Sequence, residues 1–244
     1  MTLNTAVLMV GPKETIDRGI AWIVFIGQLL PRVGGPGAWI TAVKRLTTLL
    51  LSRREDSRQA AITADGAAKF EPGHQAFYES QDFPFLASLE EQWDVIHQEL
   101  SALRGAHFID WSERYLYKEG WTTFGLYAYG IAIGKNCALC PETTKLIETI
   151  PNLMTAGFSS LAPGTHITPH TGYPEGVLRC HLGLVIPDRT PAVLALRCGD
   201  EVRTWEPGKC LIFDDTLEHE AWNRSDRTRI VMILDFTPPK SHEF

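Results

Sequence analysis

A chain of 244 residues holds one catalytic domain with extensions, or two small domains. Its apolar share of 44% and charged share of 21% are those of a globular protein. A net charge of -6 with no stripe of Lys and Arg excludes a nucleic-acid footprint.

The first notable stretch is 18–51, RGIAWIVFIGQLLPRVGGPGAWITAVKRLTTLLLSRR. Two apolar runs flank Pro31, Gly34, Gly35, Pro36 and Gly37, which reads as a helical hairpin with a tight loop. Ile20–Leu30 is too short to span a bilayer, which takes about 20 apolar residues. The hairpin therefore either packs on a core or offers an apolar surface for peripheral contact with a membrane, a lipid or a partner chain. Residues 53–75 are polar and aperiodic and read as a linker. The expected division is an N-terminal extension over 1–80 and a catalytic domain over 81–244. Five irregularly spaced cysteines, and no signal-peptide pattern before the first apolar run, lead to an expectation of free thiols in the cytoplasm, with membrane association through 18–51 left open.

From Phe85 to Leu103 the spacing predicts a helix, with Leu86, Leu89, Trp93, Ile96, Leu100 and Leu103 on one face. WTTFGLYAYGIAI then reads as strand, closed by a turn at Gly134-Lys135-Asn136. Cys137 and Cys140 form a lone CxxC without the second ligand pair that a structural zinc site needs. A short helix is expected over 141–150. Beyond Leu153 come TAGFSSL, VLRCHLGLVI, AVLALRC, EVRTWE, CLIFDD, HEAWN and TRIVMILDF, separated by Gly/Pro turns. So many short strands predict a β-sandwich or barrel, and the turn at Gly208 suits a jelly-roll corner.

Chemistry concentrates in those strands. His170 and His219 lie on separate strand-like segments, and each is followed by an arginine, Arg179 or Arg229, nine or ten residues on. Neutral imidazole is the commonest protein metal ligand. Strand periodicity turns Arg179 and His181 to one face and Leu178, Cys180 and Leu182 to the other. If the last two strands form a hairpin centred on Arg224, His219 falls opposite Arg229. Two histidines with open positions suit a non-haem Fe(II) oxygenase, whose usual triad adds a carboxylate two residues after the first histidine. That position here is Gly172. The residues alone leave open that His170 and His219 are polar residues without a metal.

PGTHITPHTG, LRCHLGLVIP, WEPGKCLIFDDTLEHEAWN and RIVMILD, in that order, resemble the aspartyl/asparaginyl β-hydroxylase family, and WTTFGLYAYG resembles its upstream strand. The resemblance runs over about 111–238 and leaves 1–80 uncovered. It implies a mainly β fold with flanking helices, built on a double-stranded β-helix of the jelly-roll or cupin-like kind. It also implies dependence on Fe(II), O2 and 2-oxoglutarate. The family uses two histidines without the carboxylate, so Gly172 agrees with it. The resemblance makes His170 and His219 the metal ligands. Arg229 with Ser159 would take the far carboxylate of 2-oxoglutarate, and Arg179 with His181 the near one. Asp215 would accept a hydrogen bond from metal-bound water; its alternative is a turn residue stabilising the next loop. Members acting on Asp or Asn carry a basic residue where Val177 stands, so the substrate class extends from peptides and small molecules to lipid-linked groups. A non-haem iron halogenase and a non-catalytic cupin-like binding module remain as alternatives.

Overall fold

The computed structural model describes residues 75–103, 105–172 and 176–238. The apolar stretch at 18–51 and nearly all of the 53–75 segment lie outside them. Among the described residues twelve strands follow in chain order: β1 Phe77–Tyr78, β2 Ile109–Asp110, β3 Trp121–Ala128, β4 Ile131–Ala132, β5 Leu153–Leu161, β6 His166–His170, β7 Leu178–Val185, β8 Leu194–Cys198, β9 Glu201–Arg203, β10 Cys210–Phe213, β11 His219–Asn223 and β12 Arg229–Phe236. They form two antiparallel sheets. The larger runs β1-β10-β7-β12-β5-β3-β2, with β4 paired to β3, and the smaller runs β6-β11-β8-β9. Residues from both sheets line one cavity between them. This is the double-stranded β-helix expected from the sequence.

The large sheet has two different faces because its strands alternate. On β7, Leu178, Cys180, Leu182 and Leu184 join Met232, Leu234 and Phe236 of β12 in the core. Arg179 and His181 project the other way, into the cavity. Among the described residues four α-helices accompany the strands: α1 Ala87–Glu91, α2 Trp93–Ala102, α3 Gly134–Cys137 and α4 Pro141–Ile147. Leu86, Leu89, Ile96, Leu100 and Ile147 belong to the same core cluster as the β7 leucines, so the helices cover the sheet's outer face. Each such side chain stabilises the fold by about 1.5–3 kcal/mol when fully buried. The helical stretch from Phe85 is interrupted at Gln92, whose φ of -112° and ψ of 25° leave the helical region. Glu99 on α2 accepts the backbone N–H groups of Glu142 and Thr143, capping the first turn of α4.

Two local expectations are corrected. Gly134-Lys135-Asn136 is not a turn but part of α3. The β3–β4 hairpin turns instead at Tyr129-Gly130, where both residues have positive φ (52° and 72°). The hairpin pairing β11 with β12 does not form either. β11 pairs with β6 and β8, while β12 pairs with β5 and β7 in the other sheet. Asn223 explains the crossing. Its side-chain amide donates to the carbonyls of Leu161, Ala162 and Arg227, and its backbone N–H donates to Thr165. The chain is thereby fastened at a corner between sheets rather than folded back on itself.

The candidate active site

The site begins with a pairing. β6 and β11 are adjacent strands, and His170 and His219 are cross-strand partners just before a register shift in β11. Their ring centroids lie 4.2 Å apart. His170 Nδ1 is 2.7 Å from the Thr168 carbonyl, and His219 Nδ1 is 2.9 Å from that of Leu217. A carbonyl only accepts, so each Nδ1 carries a proton, and a neutral ring so held has its lone pair on Nε2. Burial, then the nearby His170, hold the His219 pKa well below the usual imidazole range, so His219 is neutral near pH 7. Among the described residues no group of three or more His, Cys, Asp and Glu side chains converges on one point.

Gly172 shows why a third side chain is missing. A Cβ built there would lie 2.2 Å from Oδ2 and 2.5 Å from Cγ of Asp215. The Asp215 carboxylate, fully buried, thus occupies the space that a side chain at 172 would need. It is held by Arg179, whose Nη2 is 3.1 Å from Asp215 Oδ2. Arg179 also forks onto Asp235, its cross-strand partner, at 2.6 and 3.0 Å. Burial lowers the Arg179 pKa, but Asp235 and Asp215 outweigh it and the net shift is upward. We expect Gly172→Asp to give no faster enzyme. The new side chain displaces Asp215 and strips Arg179 of one carboxylate, and turnover should fall by about 10–100-fold, as for other losses of outer partners. Metal titration and single-turnover assays of the variant check this; a faster Gly172→Asp protein would overturn it.

Arg229 opens β12 and is 1% exposed. Its Nη1 donates to the Ser159 carbonyl at 3.3 Å and its guanidinium lies 4.5 Å above the Trp205 ring. Among the described residues no carboxylate pairs with it, and its buried Nε has no hydrogen-bond partner. Burial pushes its pKa down to about 9, which still leaves the group charged near pH 7. The Ser159 hydroxyl accepts the Trp121 indole N–H at 3.1 Å and keeps its own proton to donate. His181 Nε2 is likewise buried without a partner. The cavity is partly open to solvent and brings together His170, His219, Ser159, Arg179, His181 and Arg229. Asp215 stands behind them, at Gly172 and Arg179.

Two participants escaped sequence reasoning. Asp235 lies on the cavity face of β12, six residues after Arg229, so strand alternation could have placed it there. Trp205 carries no such signal, because its contacts come from a loop. The CxxC pair has no part in the site: Cys140 is buried, Cys137 donates to the Leu126 carbonyl, and all five cysteines are free thiols.

The sheets, the paired imidazoles and the buried cations define a double-stranded β-helix protein with a histidine-pair cavity. The chain belongs to the aspartyl/asparaginyl β-hydroxylase family, whose model matches residues 90–239. It is 38% identical over 175 residues to an ornithine lipid ester-linked acyl 2-hydroxylase of Rhizobium tropici, covering 68% of this chain and 62% of that protein. It is also 38% identical over 165 residues to the human aspartyl/asparaginyl β-hydroxylase, covering 64% of this chain and 21% of that protein. The chain therefore spans less than two thirds of the length of either relative.

Proposed function

We propose that this chain is an Fe(II)- and 2-oxoglutarate-dependent dioxygenase that hydroxylates an unactivated C–H bond of a lipid-linked or peptide-type substrate. The observation that carries the reading is the pair of cross-strand imidazoles beside a buried guanidinium that lacks a carboxylate partner among the described residues. Two rings held through Nδ1–H, whose neutral form has its lone pair on Nε2, fit a borderline cation such as Fe(II). The buried Nε of Arg229 and Nε2 of His181, both without partners, fit the carboxylate oxygens of a small dicarboxylate.

Iron with 2-oxoglutarate and O2 would put one oxygen atom into the substrate and the other into succinate, releasing CO2. The residues do the rest. His170 and His219 would bind the metal, each ring held by its Nδ1–H. Arg229 and the Ser159 hydroxyl would hold the far carboxylate, and a planar guanidinium suits two oxygens at once. His181, with Arg179 beside it, would address the near carboxylate. Asp215, still ionised and paired with Arg179, would accept a hydrogen bond from a water in the site. Trp121 and the apolar cavity lining would exclude bulk water.

The substrate reading favours an acyl chain. Val177, buried at 6% exposure, offers no charge to an acidic side chain, and Ile167, Leu196, Phe213 and Ile233 line the cavity. The Rhizobium relative is named for hydroxylating a lipid acyl group. Peripheral membrane contact through 18–51 in the cytoplasm goes with this reading. Among the described residues no helix is long and apolar enough to cross a membrane. The test is a mass-spectrometric screen of ester-linked lipids against Asp- and Asn-containing peptides. The expected product is a lipid heavier by one oxygen atom, formed only with 2-oxoglutarate, Fe(II) and O2 together. Peptide oxidation alone would move the substrate class, and oxidation that does not require 2-oxoglutarate would overturn the reading.

A further inference from the structure

Trp205 is fully buried, yet the catalytic scheme above gives it no part. Its loop can lie close on β7, behind the cavity-lining His181 and Arg229, because Gly183 has no side chain. A Cβ at 183 would lie 2.1 Å from the Glu206 carbonyl oxygen. With only hydrogen there, the loop after β9 lies directly on β7: Gly208 N–H donates to the Gly183 carbonyl at 2.9 Å, and Gly183 bridges to Pro207. The loop is thus anchored two residues beyond His181, on the same face of the strand.

From that anchor the indole does two things. Its Nε1–H donates to His181 Nδ1 at 3.2 Å. An indole nitrogen only donates, so Nδ1 must accept and carries no proton. Burial, with Arg229 and Arg179 nearby, holds the His181 pKa well below its usual value, so the ring is neutral and its single proton sits on Nε2. Nε2 is the buried atom without a partner. The face of the same indole supports the Arg229 guanidinium at 4.5 Å. One residue therefore touches both of the buried side chains that, among the described residues, retain an unused N–H.

We propose that Trp205 is a positioning residue for anion binding. It fixes His181 as the Nε2–H tautomer, so that the ring presents a donor to an anionic oxygen of the cosubstrate, and it backs Arg229 against the cavity wall. This rests on the reading that the cavity takes 2-oxoglutarate. Without the indole N–H, the Nδ1–H tautomer becomes accessible. Nε2 then turns a lone pair toward the carboxylate, and an attraction becomes a repulsion.

Two measurements test it. Nitrogen-15 NMR of histidine-labelled, metal-free wild type should show a pyrrole-type Nε2 and a pyridine-type Nδ1 at His181. Trp205→Phe keeps an aromatic face under Arg229 and removes only the N–H. It should shift the His181 signals toward the other tautomer and weaken 2-oxoglutarate binding by about 10–100-fold, measured anaerobically with Mn(II) in place of Fe(II). A pyridine-type Nε2 in wild type overturns the proposal. So does a folded Trp205→Phe that binds 2-oxoglutarate as wild type does. Should Trp205→Phe fail to fold, the wild-type spectrum and His181→Gln decide. Gln places an N–H where Nε2 sits and should stay within about tenfold of wild-type affinity, whereas His181→Phe should lose far more; equal loss in both overturns the donor role. A wild type with the expected spectrum that binds no 2-oxoglutarate overturns the cosubstrate reading and upholds the control of the tautomer.

Discussion

His170→Ala and His219→Ala are each expected to lose bound Fe(II) and turnover together, while the circular dichroism of the fold stays as in wild type. Removing an outer partner of a metal ligand already costs about 10–100-fold in affinity or activity. Removing one of two direct ligands should cost more, because no third His, Cys, Asp or Glu converges with the pair among the described residues. The neighbouring carboxylate does not substitute: Asp215 is held by Arg179 behind Gly172. Metal content after gel filtration, measured beside single-turnover rates, checks the result. A variant that keeps stoichiometric iron and full activity would remove both histidines from the assignment.

The second large effect is expected at Arg229. Arg229→Ala should raise the KM for 2-oxoglutarate by the equivalent of about 3–5 kcal/mol, the cost of leaving one member of a buried ion pair alone. Arg229→Lys should recover only part, since an ammonium cannot form the two-pronged contact. Stability should move differently. Burial holds the folded-state pKa near 9, below the ordinary arginine value. Below that pH both folded and unfolded chains hold the proton, so the folded state carries the full cost of the buried cation near pH 7. Arg229→Met, which fills the space without the charge, should therefore melt no lower than wild type when no ligand is bound. Calorimetry with and without 2-oxoglutarate separates the two effects. An unchanged KM in Arg229→Ala would remove the arginine from cosubstrate binding.

The faces of the strands were legible in the sequence and their neighbours were not. Alternation along LRCHLGLV put Arg179 and His181 on one side and Leu178, Cys180 and Leu182 on the other, as they are. Pairing is decided elsewhere. NRSDR looks like a hairpin loop, but Asn223 reaches carbonyls about sixty residues away in sequence and pins the chain at a corner. The same holds for Trp205, whose position depends on a missing side chain at Gly183, and for Asp235, whose meaning appears only once β12 is set against β7. Tyr129 hid a turn because a non-glycine residue at positive φ is uncommon. The segment around His170 reads as strand-like but not as one of the run of short strands; β6 includes Pro169, which an edge strand tolerates.

That edge position has a mechanical side. β6 ends the small sheet, and within it only β11 holds the strand. A metal gripped by His170 and His219 would act as a rivet through the edge strand and its one neighbour, at the point where the register slips. Loading the metal and closing the sheet edge would then be one event, and the occupied protein would be the one with the least frayed rim. Loss of the metal would loosen the rim before any residue deeper in the cavity changes its neighbours.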